Sequence, residues 1–305
     1  MPWNRRGGLS LGRWLGIPVR VHWTWLLVLA LVAGSLSFGY FPLFRRAVSP
    51  SSYLLLGVIT ALLFCLSLVI HELAHAVVAR RERIPVRGIT LFAFGGVAEL
   101  TESPRTAGAE FRMAVVGPLA SLGLAWLFSA LAGASTSPYL ALPFLWLART
   151  NLALGLFNLL PGFPLDGGRV LRAALWRWMG DQRRATRVAA TAGQAVGWLF
   201  VGLGVLAVFR GGLFNGLWLM MIGSFIRSAA AAERAYVERA FARSEPEPPA
   251  DSPAPPAAPR PPFVPAPAPT GAGAARPGLW ASTSTGAQSY PPYPPYPPYR
   301  PGPGA

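Results

Sequence analysis

Cysteine, lysine and aspartate are almost missing from this 305-residue chain, which contains one cysteine, no lysine and three aspartates. The single cysteine, Cys65, excludes an internal disulfide and any zinc site built from several cysteines. Charged residues make up only 13% of the chain and hydrophobic residues 52%. This balance excludes an ordinary soluble domain and is typical of a membrane protein.

The basic residues are all arginine, and they give the chain a net charge of +15. They cluster at the ends of apolar runs, around residues 5–20, 80–87, 169–187 and 227–243. A nucleic-acid partner is not indicated, because no basic stripe follows one face of a soluble element. The positive-inside rule instead predicts a multi-pass protein of the cell membrane with a cytoplasmic N-terminus, and a cytoplasmic C-terminus if the number of spans is even.

Six apolar runs have about the 20 residues that a membrane-spanning helix needs. They lie at roughly 23–44, 52–79, 111–133, 139–160, 188–209 and 212–232. The predicted fold is therefore an all-α polytopic membrane protein, with membrane lipids as its surroundings. We divide the chain into a cytoplasmic N-terminal segment (1–20), a transmembrane domain (21–235) and a C-terminal tail (240–305).

The tail and one internal segment do not fit the spanning pattern. Proline, alanine and glycine dominate 240–305, so we expect a disordered, partly polyproline-II tail that is mainly solvated, with no identifiable partner. Residues Ile84–Leu100 contain glycines and a proline, and their alternating character predicts a short membrane-associated β-hairpin after the second helix. Such a hairpin could offer its edge to an extended substrate, or be a structural loop.

The sequence His71-Glu72-Leu73-Ala74-His75 follows directly after the apolar run Ser52–Ile70. Histidines four residues apart lie on the same side of a helix, so both imidazoles can reach one metal ion. The adjacent glutamate is the acid/base group that a zinc-bound water needs. Ionisable side chains are costly within a membrane span, which favours a functional site at this position.

A catalytic zinc ion usually has three protein ligands and one open position. Asp166 is the best candidate for the third ligand, because it is the only aspartate next to an apolar span and lies on the same predicted membrane side as the histidines. Asp181 falls in an arginine-rich stretch and is expected to be a solvated charge. His22 begins the first span, where a role at the membrane interface or in support of the metal ligands is as plausible as a role in handling substrate or protons.

Together, three sequence motifs resemble the site-2 protease family of intramembrane zinc metalloproteases. They are His71–His75, Gly117-Pro118-Leu119-Ala120-Ser121, and Asn158 followed by Leu165-Asp166-Gly167; the opening 16–23 is also similar to bacterial and archaeal members. The resemblance covers roughly residues 12–232. Many relatives carry a regulatory peptide-binding or nucleotide-sensing domain, for which we expect no room in this chain.

The resemblance implies a role for each matched residue. His71, His75 and Asp166 would bind one Zn²⁺ per chain, Glu72 would act as general base, and Asn158 would bind the scissile carbonyl or its oxyanion. The small residues Gly117 and Ser121 would allow close helix packing, as their spacing also suggests. Residues 21–235 would then be a metalloprotease domain that cleaves single-span membrane proteins within or near the bilayer.

Two other functions are compatible with parts of this pattern. A catalytically silent relative would bind membrane clients without cleaving them, although all the metal-binding and acid/base groups are present. A metal transporter would need polar residues along a path across several helices, whereas those here concentrate at one depth on two spans. We therefore predict an intramembrane zinc metalloendopeptidase, whose particular substrate the sequence does not specify.

Overall fold

The computed structural model describes residues 8–44, 49–92 and 95–244, and every structural statement below concerns these residues. Most of the C-terminal tail, 245–305, lies outside them, so its predicted disorder stays a prediction. Within the described part, eight helices and one four-stranded sheet follow the chain order β1, β2, α1, α2, α3, β3, β4, α4 to α8. Helices dominate, as predicted.

The six predicted spans are confirmed as helices long and apolar enough to cross a membrane. The first span, Trp23–Phe44, consists of α1 (Trp23–Gly34), a π-helical segment (Ser35–Tyr40) and α2 (Phe41–Phe44). The other helices are α3 (Pro50–Arg81), α4 (Ala107–Ala134), α5 (Pro138–Asn158), α6 (Asp166–Met179), α7 (Gln182–Phe209) and α8 (Leu213–Ser244). Helix α6 is the one long helix among them that is not a candidate span.

Helix α3 has clear start and stop signals and exceeds the bilayer in length. Ser49 caps it by accepting a hydrogen bond from the Ser52 amide, and Pro50 occupies the first turn, where a missing N–H costs nothing. Two arginines end the helix, near its negative dipole end. Its 32 residues correspond to about 48 Å, against about 30 Å of hydrocarbon. The helix therefore continues beyond the hydrocarbon at one end or both.

The sheet is larger than the single predicted hairpin. Strands β3 (Val86–Phe92) and β4 (Gly95–Leu100) form that hairpin, but β2 (Ile17–His22) pairs in parallel with β3, and β1 (Gly8–Trp14) pairs antiparallel with β2. The strand order β1-β2-β3-β4 leaves the outer edge of β4 without a partner strand in the described structure. The N-terminal segment thus contributes two strands that the sequence analysis did not predict.

One face of the sheet packs against α3 and so fixes the position of β4. Ile17, Val19 and Val21 are buried at alternate positions of β2, with Ile89 and Leu91 of β3 beside them. These side chains contact α3 at Val69 and Ala76, on either side of the His71–His75 segment. Burial of this apolar face anchors the sheet beside the part of α3 that carries the histidines.

Glycines allow α7 and α8 to pack backbone against backbone. A Cβ atom added to Gly197 would lie 2.7 Å from the carbonyl oxygen of Gly223, and one added to Gly204 would lie 2.7 Å from that of Gly216. Small residues at such crossings bring helices together without a solvent-driven hydrophobic effect. Glycines also allow α7 to approach the loop before α6, where Gly162 contacts Gly193 of α7.

Candidate metal centre

His71 and His75 lie one turn apart on the face of α3 that packs against α4. His71 is only 4% exposed, and the His75 side chain is also largely buried. Their two Nε2 atoms are 3.2 Å apart, so both imidazoles present the same nitrogen to one point. The i, i+4 spacing in the sequence therefore produces the expected convergence.

Asp166 is the first residue of α6 and completes a group of three possible metal ligands. Its Oδ2 atom lies 3.2 Å from Nε2 of His71 and 3.3 Å from Nε2 of His75. Burial by itself raises the pKa of the Asp166 carboxyl, but His75 and His71 beside it keep that pKa well below its usual range. The structure thus brings the three expected side chains together with an ionised carboxylate.

The opposite nitrogens of the two imidazoles are bonded to α4. Nδ1 of His75 lies 2.6 Å from the carbonyl oxygen of Met113, and Nδ1 of His71 lies 2.9 Å from Oγ of Ser121. A carbonyl oxygen can only accept, so Nδ1 of His75 donates to it, and Nε2 is the nitrogen left to bind a metal ion. A metal-binding imidazole requires this arrangement, and the hydrogen bond at Nδ1 fixes the orientation of the ring.

Gly117 lies between Met113 and Ser121 and gives the imidazoles their space. A Cβ atom at this position would contact Nε2 of His75 and lie 2.8 Å from Nε2 of His71. The predicted role of Gly117 and Ser121 in close helix packing therefore needs refinement. Gly117 makes room for the two imidazoles, and Ser121 bonds that of His71, which the spacing of small residues alone did not reveal.

Glu72 adjoins this group from the side of the sheet. A Cβ atom on Gly96 of β4 would overlap the Glu72 side chain, with Cδ only 2.7 Å away. Glu72 also interacts electrostatically with His71, His75 and Asp166. The half-buried carboxylate therefore adjoins both the three converging donors and the outer strand of the sheet. The contact between Gly96 and Glu72 was not predicted from the sequence.

Three other residues considered from the sequence form hydrogen bonds away from this group in the described structure. The Asn158 amide donates to the carbonyl of Leu154, one turn back in its own helix. His22 caps α1 through Thr24 and packs against Phe92. Asp181 caps α7 by accepting from the Arg184 amide. The role of Asn158 stays a prediction, and His22 has a capping role.

The three donors fit a zinc ion. Tetrahedral zinc with bonds of about 2.0–2.2 Å separates its ligand atoms by about 3.3–3.6 Å. The observed separations of 3.2, 3.2 and 3.3 Å are close to this spacing. Two imidazoles and one carboxylate also leave a fourth position open, which is typical of catalytic rather than structural zinc sites.

Comparison with known proteins gives an independent view of the chain. Residues 59–141 and 134–200 match the sequence profile described as Peptidase family M50. The chain is 45% identical over 236 residues to a Mycobacterium tuberculosis protein named "Putative zinc metalloprotease Rip3", and 30% identical over 234 residues to Zinc metalloprotease MJ0392 of Methanocaldococcus jannaschii. These alignments cover 76% and 75% of this chain but only 60% and 61% of the relatives.

A solved structure shows the same fold. The structure titled Site-2 Protease from Methanocaldococcus jannaschii superposes with a TM-score of 0.50 at 27% sequence identity. The match covers 74% of this chain and 95% of the solved chain. The transmembrane core is thus shared, while the curated relatives extend beyond the part that this chain matches.

Proposed function

The chain belongs to Peptidase family M50, the site-2 protease family, and we propose that it is an intramembrane zinc metalloendopeptidase. One observation carries this proposal: Nε2 of His71, Nε2 of His75 and Oδ2 of Asp166 converge to within 3.3 Å of one another beside Glu72. No other group of three possible metal ligands occurs in the described part of the chain.

The proposed chemistry assigns one task to each residue. His71, His75 and Asp166 bind one Zn²⁺, which when bound lowers the pKa of water to about 7 and polarises a carbonyl. Glu72 removes the proton of the attacking water and returns it to the leaving amine. Asn158, once released from the Leu154 carbonyl, donates to the oxygen on which negative charge develops. Exclusion of bulk water by the surrounding helices strengthens these interactions.

The orientation in the membrane follows from charge. Arg80 and Arg81 end α3 close to the site, and arginines also begin α7. Together with the six spans, this distribution supports cytoplasmic N- and C-termini and a site nearer the cytoplasmic face. Protease digestion of tags at either terminus in inside-out vesicles tests the assignment; protected tags contradict it.

We propose single-span membrane proteins as substrates, bound as an extended strand along β4. The outer edge of β4 is unpaired in the described structure and passes Glu72 at Gly96. Backbone pairing there would bind an unwound segment irrespective of its side chains. N-methylation of successive substrate amides should therefore slow cleavage at alternate positions, because every second amide faces the strand. Inhibition without this period of two contradicts strand addition.

Metal removal tests the proposed function directly. The purified protein, with one bound zinc per chain, should cleave a single-span substrate and lose this activity in a chelator. Added Zn²⁺ should restore both the bound metal and the cleavage. Activity that persists in metal-free protein overturns the proposal, and zinc-loaded protein that cleaves no member of a panel of single-span substrates indicates a silent relative.

A further inference from the structure

A second buried charged cluster lies on helices α4, α6 and α8. The guanidinium of Arg172 donates through Nε to Oε1 of Glu110 at 2.7 Å, and its Nη2 bonds the same oxygen. Its Nη1 lies 3.4 Å from Oε1 of Glu233, and the ring of Phe163 is 5.0 Å from the guanidinium carbon. Arg172 and Glu110 are 3% and 1% exposed.

A contribution to the folding stability of the protein does not by itself explain this cluster. Two charged side chains removed from water lose hydration that their mutual attraction only partly replaces, and an apolar pair of similar volume is often as stable. Here Oε2 of Glu110 is buried and has no hydrogen-bond partner in the structure, so the arrangement is not fully satisfied. Buried ionic groups of this kind are best attested where they fix the register of packed elements.

The register that this cluster fixes is that of the metal centre. Arg172 lies six residues after Asp166 on the same helix, about 9 Å along its axis. Glu110 lies three residues before Met113, whose carbonyl accepts a hydrogen bond from His75. Gly117 and Ser121, which contact the imidazoles, follow on the same side of α4. The Arg172–Glu110 contact thus joins the helix that begins with the carboxylate ligand to the helix that orients both histidines.

We propose that Arg172, bonded to Glu110 and Glu233, is a positioning residue that places the Asp166 carboxylate relative to the two imidazoles. The fork of the guanidinium fixes both the distance between α4 and α6 and the rotation of α6 about its axis. A small rotation of α6 moves its first residue, and with it Oδ2 of Asp166, away from the two Nε2 atoms. This inference rests on the proposed zinc site.

Zinc affinity is the measurement that tests it. Competition with a chromophoric chelator gives the dissociation constant for the wild-type chain and for Arg172→Met. We expect the variant to bind zinc about 10–100-fold more weakly, as when hydrogen-bond partners behind metal ligands are removed. Arg172→Lys should recover only part of the loss, because it keeps the charge without the fork. Cobalt(II) absorption should report a changed coordination in both variants.

A double variant separates positioning from folding. Arg172→Met leaves Glu110 buried and unpaired, whereas Glu110→Leu with Arg172→Met removes both charges and should fold. Thermal unfolding in excess chelator then measures the stability of the metal-free protein. A merely structural role lowers this stability but leaves the zinc affinity of folded molecules unchanged, which overturns the inference. Weaker zinc binding at preserved metal-free stability supports it.

Helix α8 offers a matched control for the Glu233 contact. Glu233→Gln should weaken zinc binding, by less than Arg172→Met because the contact is longer and 22% of the Glu233 side chain is exposed. Glu238→Gln, five residues further along, loses exposed pairs with Arg187 and Arg234 and should leave the affinity unchanged. Equal effects of the two substitutions contradict the proposal. A wild-type protein that binds no zinc refutes the proposed function itself.

Discussion

Replacement of Glu72 by glutamine should abolish proteolysis while the protein keeps its zinc. The amide has nearly the same shape as the carboxylate, so His71, His75 and Asp166 retain their arrangement. It cannot accept a proton from water, and a positioned general base contributes about 10²–10⁴-fold to the rate of such a step. Cleavage of a single-span substrate and the zinc content of the same preparation are the two measurements required.

A matched glutamate on the adjacent strand serves as the control. Glu99 lies three residues from Gly96 on β4, and its exposed carboxylate accepts a hydrogen bond from Thr90. Glu99→Gln should therefore cleave and bind zinc like the wild type. Undiminished cleavage by Glu72→Gln would show that Glu72 is not the general base. Loss of zinc from that variant would instead indicate that Glu72 is a metal ligand.

The three candidate metal ligands could be selected from the sequence because it offers so few alternatives. Helical spacing alone places His71 beside His75. The choice of Asp166 needed two further facts, namely the shortage of aspartates and the predicted membrane side of residue 166. The structure places its carboxylate within 3.3 Å of both imidazoles. Scarcity of ionisable residues in and beside membrane spans therefore makes their pairing easier to infer than in a soluble protein.

Features that depend on long-range packing escaped prediction. Strand β2 shows an alternation of Ile17, Val19 and Val21, but its parallel pairing with β3 joins segments separated by helices α1 to α3, and no local signal encodes that. Arg172 resembles its arginine neighbours in sequence, and only the approach of Glu110 from α4 shows that it is buried. Local patterns specify elements, whereas the partners of a buried charge depend on the tertiary fold.

Gly117→Ala is expected to weaken zinc binding strongly, although alanine is the better helix former. A single methyl group at this position would occupy the space beside Nε2 of His75 and lie 2.8 Å from Nε2 of His71. Both imidazoles are held at their opposite nitrogens, Nδ1, by Met113 and Ser121, so neither ring can move away without losing a hydrogen bond. We expect zinc affinity to fall by about 100-fold or more, beyond the usual effect of an outer-shell substitution.

The same helix contains the control that decides the cause of such a loss. Gly123 lies six residues further along α4, and a Cβ atom there would meet nothing within 4 Å. Gly123→Ala should bind zinc and cleave substrate like the wild type, while both variants gain helix propensity. If Gly117→Ala binds zinc as tightly as Gly123→Ala, the imidazoles have room that the structure does not show, and Gly117 does not limit the space of the proposed ligands. If Gly117→Ala loses zinc while its metal-free form unfolds at the wild-type temperature, the added methyl group interferes with metal binding and not with folding. The metal site then lies beside Gly117.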